Sequence, residues 1–137
     1  MSTVDLGTVA VSQRDLDLWG RIAGADSRLH LDPEWAGPRF GGTIVPAMLL
    51  IAIAAERLAA TLGTRSARPR LAGAAVRIRS ATHPGTVHLI TAAEADGGVW
   101  ALSCTLEGGV GVIDAMLTFG PAGAPQGRDA TPPSLSD

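Results

Sequence analysis

The stretch PAMLLIAIAAERLAATL, residues 46–62, decides the fold of this chain. Pro46 suits the first turn of a helix, where the N–H that it lacks would have no intrahelical partner. The residues that follow leave no polar face until Glu56 and Arg57, and Gly63 favours an end to the helix. Because a helix that is apolar on nearly every side must be covered by other elements, the sequence predicts a long, buried helix here.

Four segments with sequence patterns typical of β-strands follow the helix, at residues 71–79, 86–93, 99–106 and 110–119. Turn sequences rich in Gly separate them, which is typical of hairpins. An antiparallel meander can bury such a helix only by curling around it. The pattern therefore predicts an α+β protein with the hot-dog fold, a curved antiparallel sheet wrapped around a long central apolar helix. One such sheet leaves an edge and a groove exposed, which favours pairing into a dimer.

The residues before the long helix predict further elements of the same domain. Residues 6–11 suit a short strand, and Ser12 with Asp15 has the spacing of a capping box at the start of a helix over residues 13–23. We expect a single domain over residues 1–120. Residues 121–137 are rich in Pro, Gly, Ser and Ala, and this composition predicts a disordered tail.

Composition argues against several classes of function. The formal net charge is −2 and no basic cluster stands out, so nucleic acid is a poor partner. The longest apolar run, Ile44–Ala55, is shorter than the roughly 20 residues that a membrane span needs. The N-terminal residues lack the pattern of a secretory signal, which predicts a cytoplasmic protein. Cys104 is the only Cys and lies in an apolar strand pattern, which predicts a buried small side chain rather than a nucleophile.

Two segments carry a resemblance to a known family. Residues 22–36, IAGADSRLHLDPEWA, resemble the hydratase motif of MaoC-like dehydratases and (R)-specific enoyl-CoA hydratases. That motif usually reads small-Gly-Asp-x-Asn-Pro-aliphatic-His-x-Asp-Pro-x-aromatic-Ala. Residues 40–49, FGGTIVPAML, are similar to the family segment that ends in Ile-x-His-Gly-Met-Leu. The resemblance extends over about residues 5–120 and implies the same hot-dog fold.

The resemblance also implies a catalytic site, with departures from the family pattern. His30 falls on the family's catalytic histidine, whereas its catalytic aspartate falls on Ala25, which can neither donate nor accept a proton. Asp26 is one residue away, and its side chain would reach the site only if the loop backbone is rearranged. The family's asparagine and proline fall on Ser27 and Arg28. We take His30 and Asp26 as the candidate catalytic pair.

The candidate substrate-binding residues are Ser27, Arg28, Pro46, Ala47 and Met48. In the family, a glycine at the start of the long helix donates its N–H to the thioester carbonyl. Ala47 retains that N–H but adds a methyl group, and Pro46 cannot donate.

The other two histidines, His83 and His88, are expected to be exposed. The histidines have no metal-ligand spacing, and we predict no metal and no cofactor.

Three functions remain open at this point. The first is an atypical dehydratase or hydratase that acts on an acyl-thioester or polyketide-type substrate, bound to CoA or to a carrier protein, with His30 as the base. The second is a polyketide-tailoring cyclase that uses the apolar pocket for conjugate addition or cycloaddition, largely through positioning. The third is a non-catalytic subunit of a heterodimeric hot-dog dehydratase, as against a homodimer. Both enzymatic functions require that His30 opens into an apolar tunnel at the start of the buried helix.

Overall fold

The computed structural model describes residues 3–63 and 68–120. Five strands and four helices follow one another in these ranges: β1 (Thr3–Val9), α1 (Gln13–Ala23), α2 (Arg28–Leu31), α3 (Pro33–Phe40), α4 (Ala47–Leu62), β2 (Arg70–Ile78), β3 (His88–Asp96), β4 (Val99–Leu106) and β5 (Gly111–Gly120). The five strands form one antiparallel sheet with α4 against it, which is the predicted α+β hot-dog arrangement. The predicted tail at residues 121–137 lies outside the described residues.

The order of the strands differs from a simple meander. The sheet order is β1-β3-β4-β5-β2, so β2 pairs with β5 rather than with the strand that follows it in sequence. The strand β1 occupies the place beside β3 that a meander would give to β2. The prediction of a four-strand meander is therefore correct for β3, β4 and β5 and wrong for β2, which forms an outer edge of the sheet.

The long apolar helix α4 packs one face into the core. Its buried residues are Leu50, Ile51, Ala54, Ala55, Leu58 and Ala59. They meet the inward side chains of the sheet, among them Ile90, Leu102 and Leu117. Along another stripe of α4, Ala52 is exposed and Met48 is 55 % exposed. The expectation that α4 is covered on nearly every side is thus wrong for this single chain, because its one sheet covers only one side of the helix.

The helix α1 begins with the predicted capping box. Ser12 Oγ accepts a hydrogen bond from the Asp15 N–H at 3.1 Å, and the Ser12 N–H donates to Asp15 Oδ2 at 2.8 Å. Hydrogen bonding of the Asp15 carboxylate to Ser12, first by the Ser12 backbone N–H and then by its side chain, holds the pKa of that carboxyl below its ordinary value. The cap fixes the direction of α1, which carries Gln13 and Trp19 towards the site described below.

Cys104 is 1 % exposed on the inner face of β4, so the interpretation of this residue as a small buried side chain is confirmed. Burial disfavours the thiolate and raises the pKa of its thiol to about 11. Within residues 3–63 and 68–120, no helix has the length and apolarity to cross a membrane.

Two Leu→Ala substitutions on α4 test which face of the helix holds the fold together. Leu58 is completely buried, whereas Leu62 is 38 % exposed. We expect Leu58→Ala to lower the free energy of unfolding by about 2–5 kcal/mol, because it leaves a cavity, and Leu62→Ala to lower it by about 1 kcal/mol or less. Urea unfolding followed by circular dichroism measures both. Equal losses would show that α4 packs with a different face.

Candidate functional site

An apolar cavity of about 350 Å³ lies at the first turn of α4. Its walls come from α1, α2, the loop before α4, the segment after β2, and β5. The lining residues are Trp19, Leu29, His30, Ile44, Val45, Pro46, Ala47, Met48, Leu50, Ile78, Ser80, Ala81, Thr82, Val112 and Ile113. Its size and apolar lining are those of a small-molecule site. The expectation that His30 opens into an apolar space at the mouth of α4 agrees with this placement.

The imidazole of His30 is half-buried and held in one orientation. Its Nδ1 lies 2.6 Å from the backbone carbonyl oxygen of Ile44. A carbonyl oxygen can only accept a hydrogen bond, so Nδ1 carries the proton and donates it. In the neutral ring Nε2 is then unprotonated and able to accept a proton. The ring of Trp19 meets the imidazole edge to face, with centroids 6.4 Å apart.

Two hydrogen bonds between Ile44 and α2 fix the loop that orients His30. The Ile44 N–H donates to the Leu29 carbonyl at 2.9 Å, while the Ile44 carbonyl accepts from His30. The next residue, Val45, donates its N–H to the Thr82 carbonyl at 2.8 Å. The loop is therefore fastened on one side to α2 and on the other to the segment that follows β2.

The first turn of α4 presents backbone N–H groups at the cavity. Pro46 is the N-cap residue and makes no side-chain capping bond. The N–H groups of Leu49 and Leu50 both point to the Pro46 carbonyl, at 3.1 and 3.4 Å. The N–H groups of Ala47 and Met48 come before these and, as the first donors of a helix, have no intrahelical acceptor. Together with the helix dipole they favour a developing negative charge on a bound oxygen.

The structure separates the sequence-based candidates into two groups. His30, Pro46, Ala47 and Met48 line the cavity. Asp26 is exposed and lines a different surface depression, together with Asp17 and Arg21.

Ser27 and Arg28 are also outside the cavity. Ser27 caps α2, where its Oγ accepts a hydrogen bond from the Leu29 N–H at 3.3 Å. Arg28 is exposed on the first turn of that helix. Among the residues that the structure describes, no Asp or Glu lines the cavity of His30.

The expectation that His88 is exposed is wrong. His88 is completely buried: Nδ1 donates to the Val9 carbonyl at 3.0 Å, and Nε2 accepts from the Thr82 hydroxyl at 2.7 Å. With both ring nitrogens satisfied, this histidine supports the segment next to the cavity. His83 is half-buried and its Nδ1 donates to the Thr43 carbonyl at 2.8 Å.

Four polar residues of this region are not among the candidates from the sequence. Ser80 and Thr82 line the cavity, and Gln13 and Thr43 hold its walls. No local pattern marks these residues; Gln13 and Thr43, for example, are 30 residues apart in sequence. In the described part of the chain, no group of three His, Cys, Asp or Glu side chains could hold a metal ion.

A second, larger groove of about 510 Å³ lies on the face of the sheet away from α4. Small outward-pointing residues such as Ala75, Ala93, Ala101 and Ser103 form its floor, and Arg77 and Asp114 flank it. The lining of the groove, as far as the described residues form it, includes no histidine and no helix terminus. The smaller cavity is therefore the candidate site, since it alone of the two combines a proton acceptor with backbone donors.

Several solved structures have a fold similar to that of this chain. The unliganded R-hydratase PhaJ1 from Pseudomonas aeruginosa matches with a TM-score of 0.73 at 20 % identity, over 88 % of this chain and 79 % of that chain. The MaoC-like dehydratase from Rhodospirillum rubrum matches with a TM-score of 0.62 at 18 % identity, over 90 % and 92 %. The C-terminally truncated HadBC (3R-hydroxyacyl-ACP dehydratase) complex from Mycobacterium tuberculosis matches with a TM-score of 0.65 at 13 % identity, over 82 % and 90 %.

These matches define the class of fold. No protein-family model matches the sequence, and no curated protein does. The chain has the hot-dog fold of (R)-hydratases and MaoC-like dehydratases, and the resemblance seen in the sequence is confirmed at the level of the fold.

The tautomer of His30 is directly measurable. We expect long-range proton–nitrogen NMR spectra of the neutral ring to show Nδ1 protonated and Nε2 unprotonated, because the Ile44 carbonyl binds the Nδ1 proton. The His30→Gln variant assigns the signal. A ring that is protonated on Nε2, or that divides evenly between the two forms, would contradict the orientation described here.

Proposed function

We propose that the protein is a hydratase or dehydratase of unusual type, which adds water to, or removes it from, the chain of an acyl thioester bound in the His30 cavity. The observation that carries this proposal is the position of His30: its Nδ1 is bonded to Ile44, and the ring lines an apolar cavity at the first turn of α4. The substrate is carried on CoA or on a carrier protein. Its acyl chain occupies the apolar part of the cavity.

In this proposal His30 moves the proton. For hydration, Nε2 accepts a proton from water as the water oxygen bonds to the β carbon of the enoyl thioester. The protonated ring then returns that proton to the α carbon. Dehydration is the reverse: Nε2 takes the α proton and delivers it to the departing hydroxyl group. A positioned base of this kind contributes about 10²- to 10⁴-fold to a rate.

The start of α4 stabilises the charge that forms on the substrate. Attack at the β carbon places negative charge on the thioester carbonyl oxygen. The N–H groups of Ala47 and Met48, at the positive end of the helix dipole, are the donors for that oxygen. Compared with a glycine at this position, the Ala47 methyl group leaves less room for the thioester carbonyl. Pro46 supplies a rigid start to the helix and no hydrogen bond.

Asp26 has no role in this mechanism, because it lies at a different surface depression. The single imidazole acts as acid and base in turn. This distinguishes the proposal from a site in which a carboxylate and a histidine share the two tasks.

A second candidate function is an intramolecular conjugate addition, in which a hydroxyl group of the substrate closes a ring on its own enone. The specific observation in its favour is the absence of Asp and Glu from the described lining of the cavity, which leaves no carboxylate to hold a water molecule. His30 would take the proton of the hydroxyl group, oxygen would bond to the β carbon, and the proton would pass to the α carbon. The apolar walls would hold the folded chain.

The partner of the chain also belongs to this proposal. Within residues 3–63 and 68–120, β2 is an edge strand of the sheet. Ile78 and Met48 are 64 % and 55 % exposed although both line the cavity. A second copy, forming a homodimer, would cover these side chains. The alternative is a heterodimer with a different hot-dog subunit. In that case this chain would be a non-catalytic subunit, and the partner would carry the reaction.

Two substitutions in the same segment test the role of His30. We expect His30→Gln to lower kcat for hydration of crotonyl-CoA or a longer enoyl-CoA by about 10²- to 10⁴-fold, and Asp26→Asn to leave kcat near that of the wild type. Loss of the conjugated enoyl absorbance measures the rate. An equal loss in Asp26→Asn would overturn the assignment of a single base.

Other substrates separate the remaining functions. A wild-type protein that ignores enoyl thioesters and closes the ring of a free hydroxy-enone supports the cyclase. A wild-type protein that turns over neither, and that co-purifies with another hot-dog chain, is a partner subunit and contradicts both enzymatic proposals.

A further inference from the structure

The side chain of Gln13 joins three elements around His30. Its Nε2 donates to the His30 carbonyl at 2.9 Å and to Asp17 Oδ1 at 3.0 Å, and its Oε1 accepts from the Thr43 hydroxyl at 2.5 Å. Gln13 is the first residue of α1, His30 is in α2, and Thr43 is in the loop before α4. One amide group therefore fastens the backbone of the candidate base to two other parts of the chain.

The chemistry of the partners fixes which way the amide points. The His30 carbonyl and the Asp17 carboxylate can only accept, so they require the NH₂ end. The Thr43 hydroxyl then donates its proton to the amide oxygen. Thr43 is 3 % exposed, so water cannot easily replace this bond. A carboxylate, which can only accept hydrogen bonds, or an apolar side chain at this position cannot satisfy all three partners.

Gln13 connects α2 with the loop before α4. These two segments contain the donor and the acceptor of the hydrogen bond that sets the His30 tautomer. The imidazole Nδ1 belongs to α2, and its acceptor, the Ile44 carbonyl, belongs to the residue after Thr43. If α2 and this loop separate, the 2.6 Å bond between Nδ1 and the Ile44 oxygen lengthens. The ring is then free to protonate on Nε2, and in that form Nε2 cannot accept a proton.

We infer that Gln13 is a positioning residue, which keeps His30 in the proton-accepting tautomer by holding α2 against residues 43–44. Its effect on a rate rests on the proposed function of His30. Its effect on the tautomer does not, because the ring can be observed without any substrate. A failure of the positioning role of Gln13 is thus distinguishable from a failure of the proposed function of His30.

The test compares Gln13→Met, which keeps the length of the side chain and removes its hydrogen bonds, with Leu16→Val on the same helix. Leu16 is completely buried, so Leu16→Val lowers stability without touching the amide network. Thermal unfolding, the His30 tautomer by NMR and the separate values of kcat and KM are measured for each. We expect Gln13→Met to convert the ring to a mixture of tautomers and to lower kcat by about 10²-fold with little change in KM, since misplacement of about 1 Å has that effect.

Leu16→Val should lower the melting temperature and leave the tautomer as in the wild type. If Gln13→Met also lowers only the melting temperature, Gln13 is a structural residue and the inference is wrong. If the wild type shows no turnover but Gln13→Met still changes the tautomer, the positioning role stands and the proposed function fails.

A second pair covers the case in which Gln13→Met does not fold. Thr43→Val removes only the hydroxyl that binds Gln13 Oε1, and Thr43→Ser keeps it. We expect Thr43→Val to shift the tautomer in the same direction as Gln13→Met, and Thr43→Ser to retain the wild-type form. An unchanged tautomer in both Thr43 variants would overturn the inference.

Discussion

The burial of α4 is the constraint on which the rest of the structure depends. A helix of 16 residues with a single pair of charged side chains can be stable in water only against a large apolar surface. The curved sheet supplies that surface. Leu50, Ile51 and Leu58 of the helix are buried against it. One consequence is that the start of the helix must also lie close to the core. Its first N–H groups, which have no intrahelical acceptor, are thereby brought into an apolar setting, where they act more strongly on charge than they would in water.

The site is built at this helix start from parts that are far apart in sequence. The loop before α4 turns back to bind α2 through Leu29 and His30, and the segment after β2 closes the other side through Thr82. Buried His88 holds Thr82 in turn. As a result, a backbone carbonyl rather than a carboxylate determines that Nε2 of His30 is the unprotonated nitrogen of the neutral ring. This carbonyl fixes the tautomer of the ring and brings no charge into the apolar cavity.

Local patterns predicted those parts of the molecule that local chemistry decides. The capping box at Ser12 and the hairpins around Gly98 and Gly108 depend on neighbouring residues, and the structure agrees with both. The predicted start of the long helix at Pro46 is one residue early, since Pro46 is the N-cap and the helix begins at Ala47. The place of β2 was not predictable in this way, because strand order is decided by long-range packing, and in the structure β1 rather than β2 pairs with β3.

The candidate site shows the same division. His30, Pro46, Ala47 and Met48 were found because they lie in motif-like segments, and all four line the cavity. Gln13 was missed because its partner Thr43 is 30 residues away, and His88 was placed wrongly because its partner Val9 is 79 residues away. A polar side chain can be buried when such a partner exists, and composition alone does not reveal the partner.

A structure with a bound, unreactive acyl thioester is the most direct test of this account. The central claim is that the reacting carbons lie between the His30 imidazole and the first turn of α4. We expect His30 Nε2 within about 3.5 Å of the α or β carbon, and the thioester oxygen about 2.7–3.1 Å from the N–H of Ala47 or Met48. A ligand that binds instead in the groove on the outer face of the sheet, with the His30 cavity unfilled, would contradict the account.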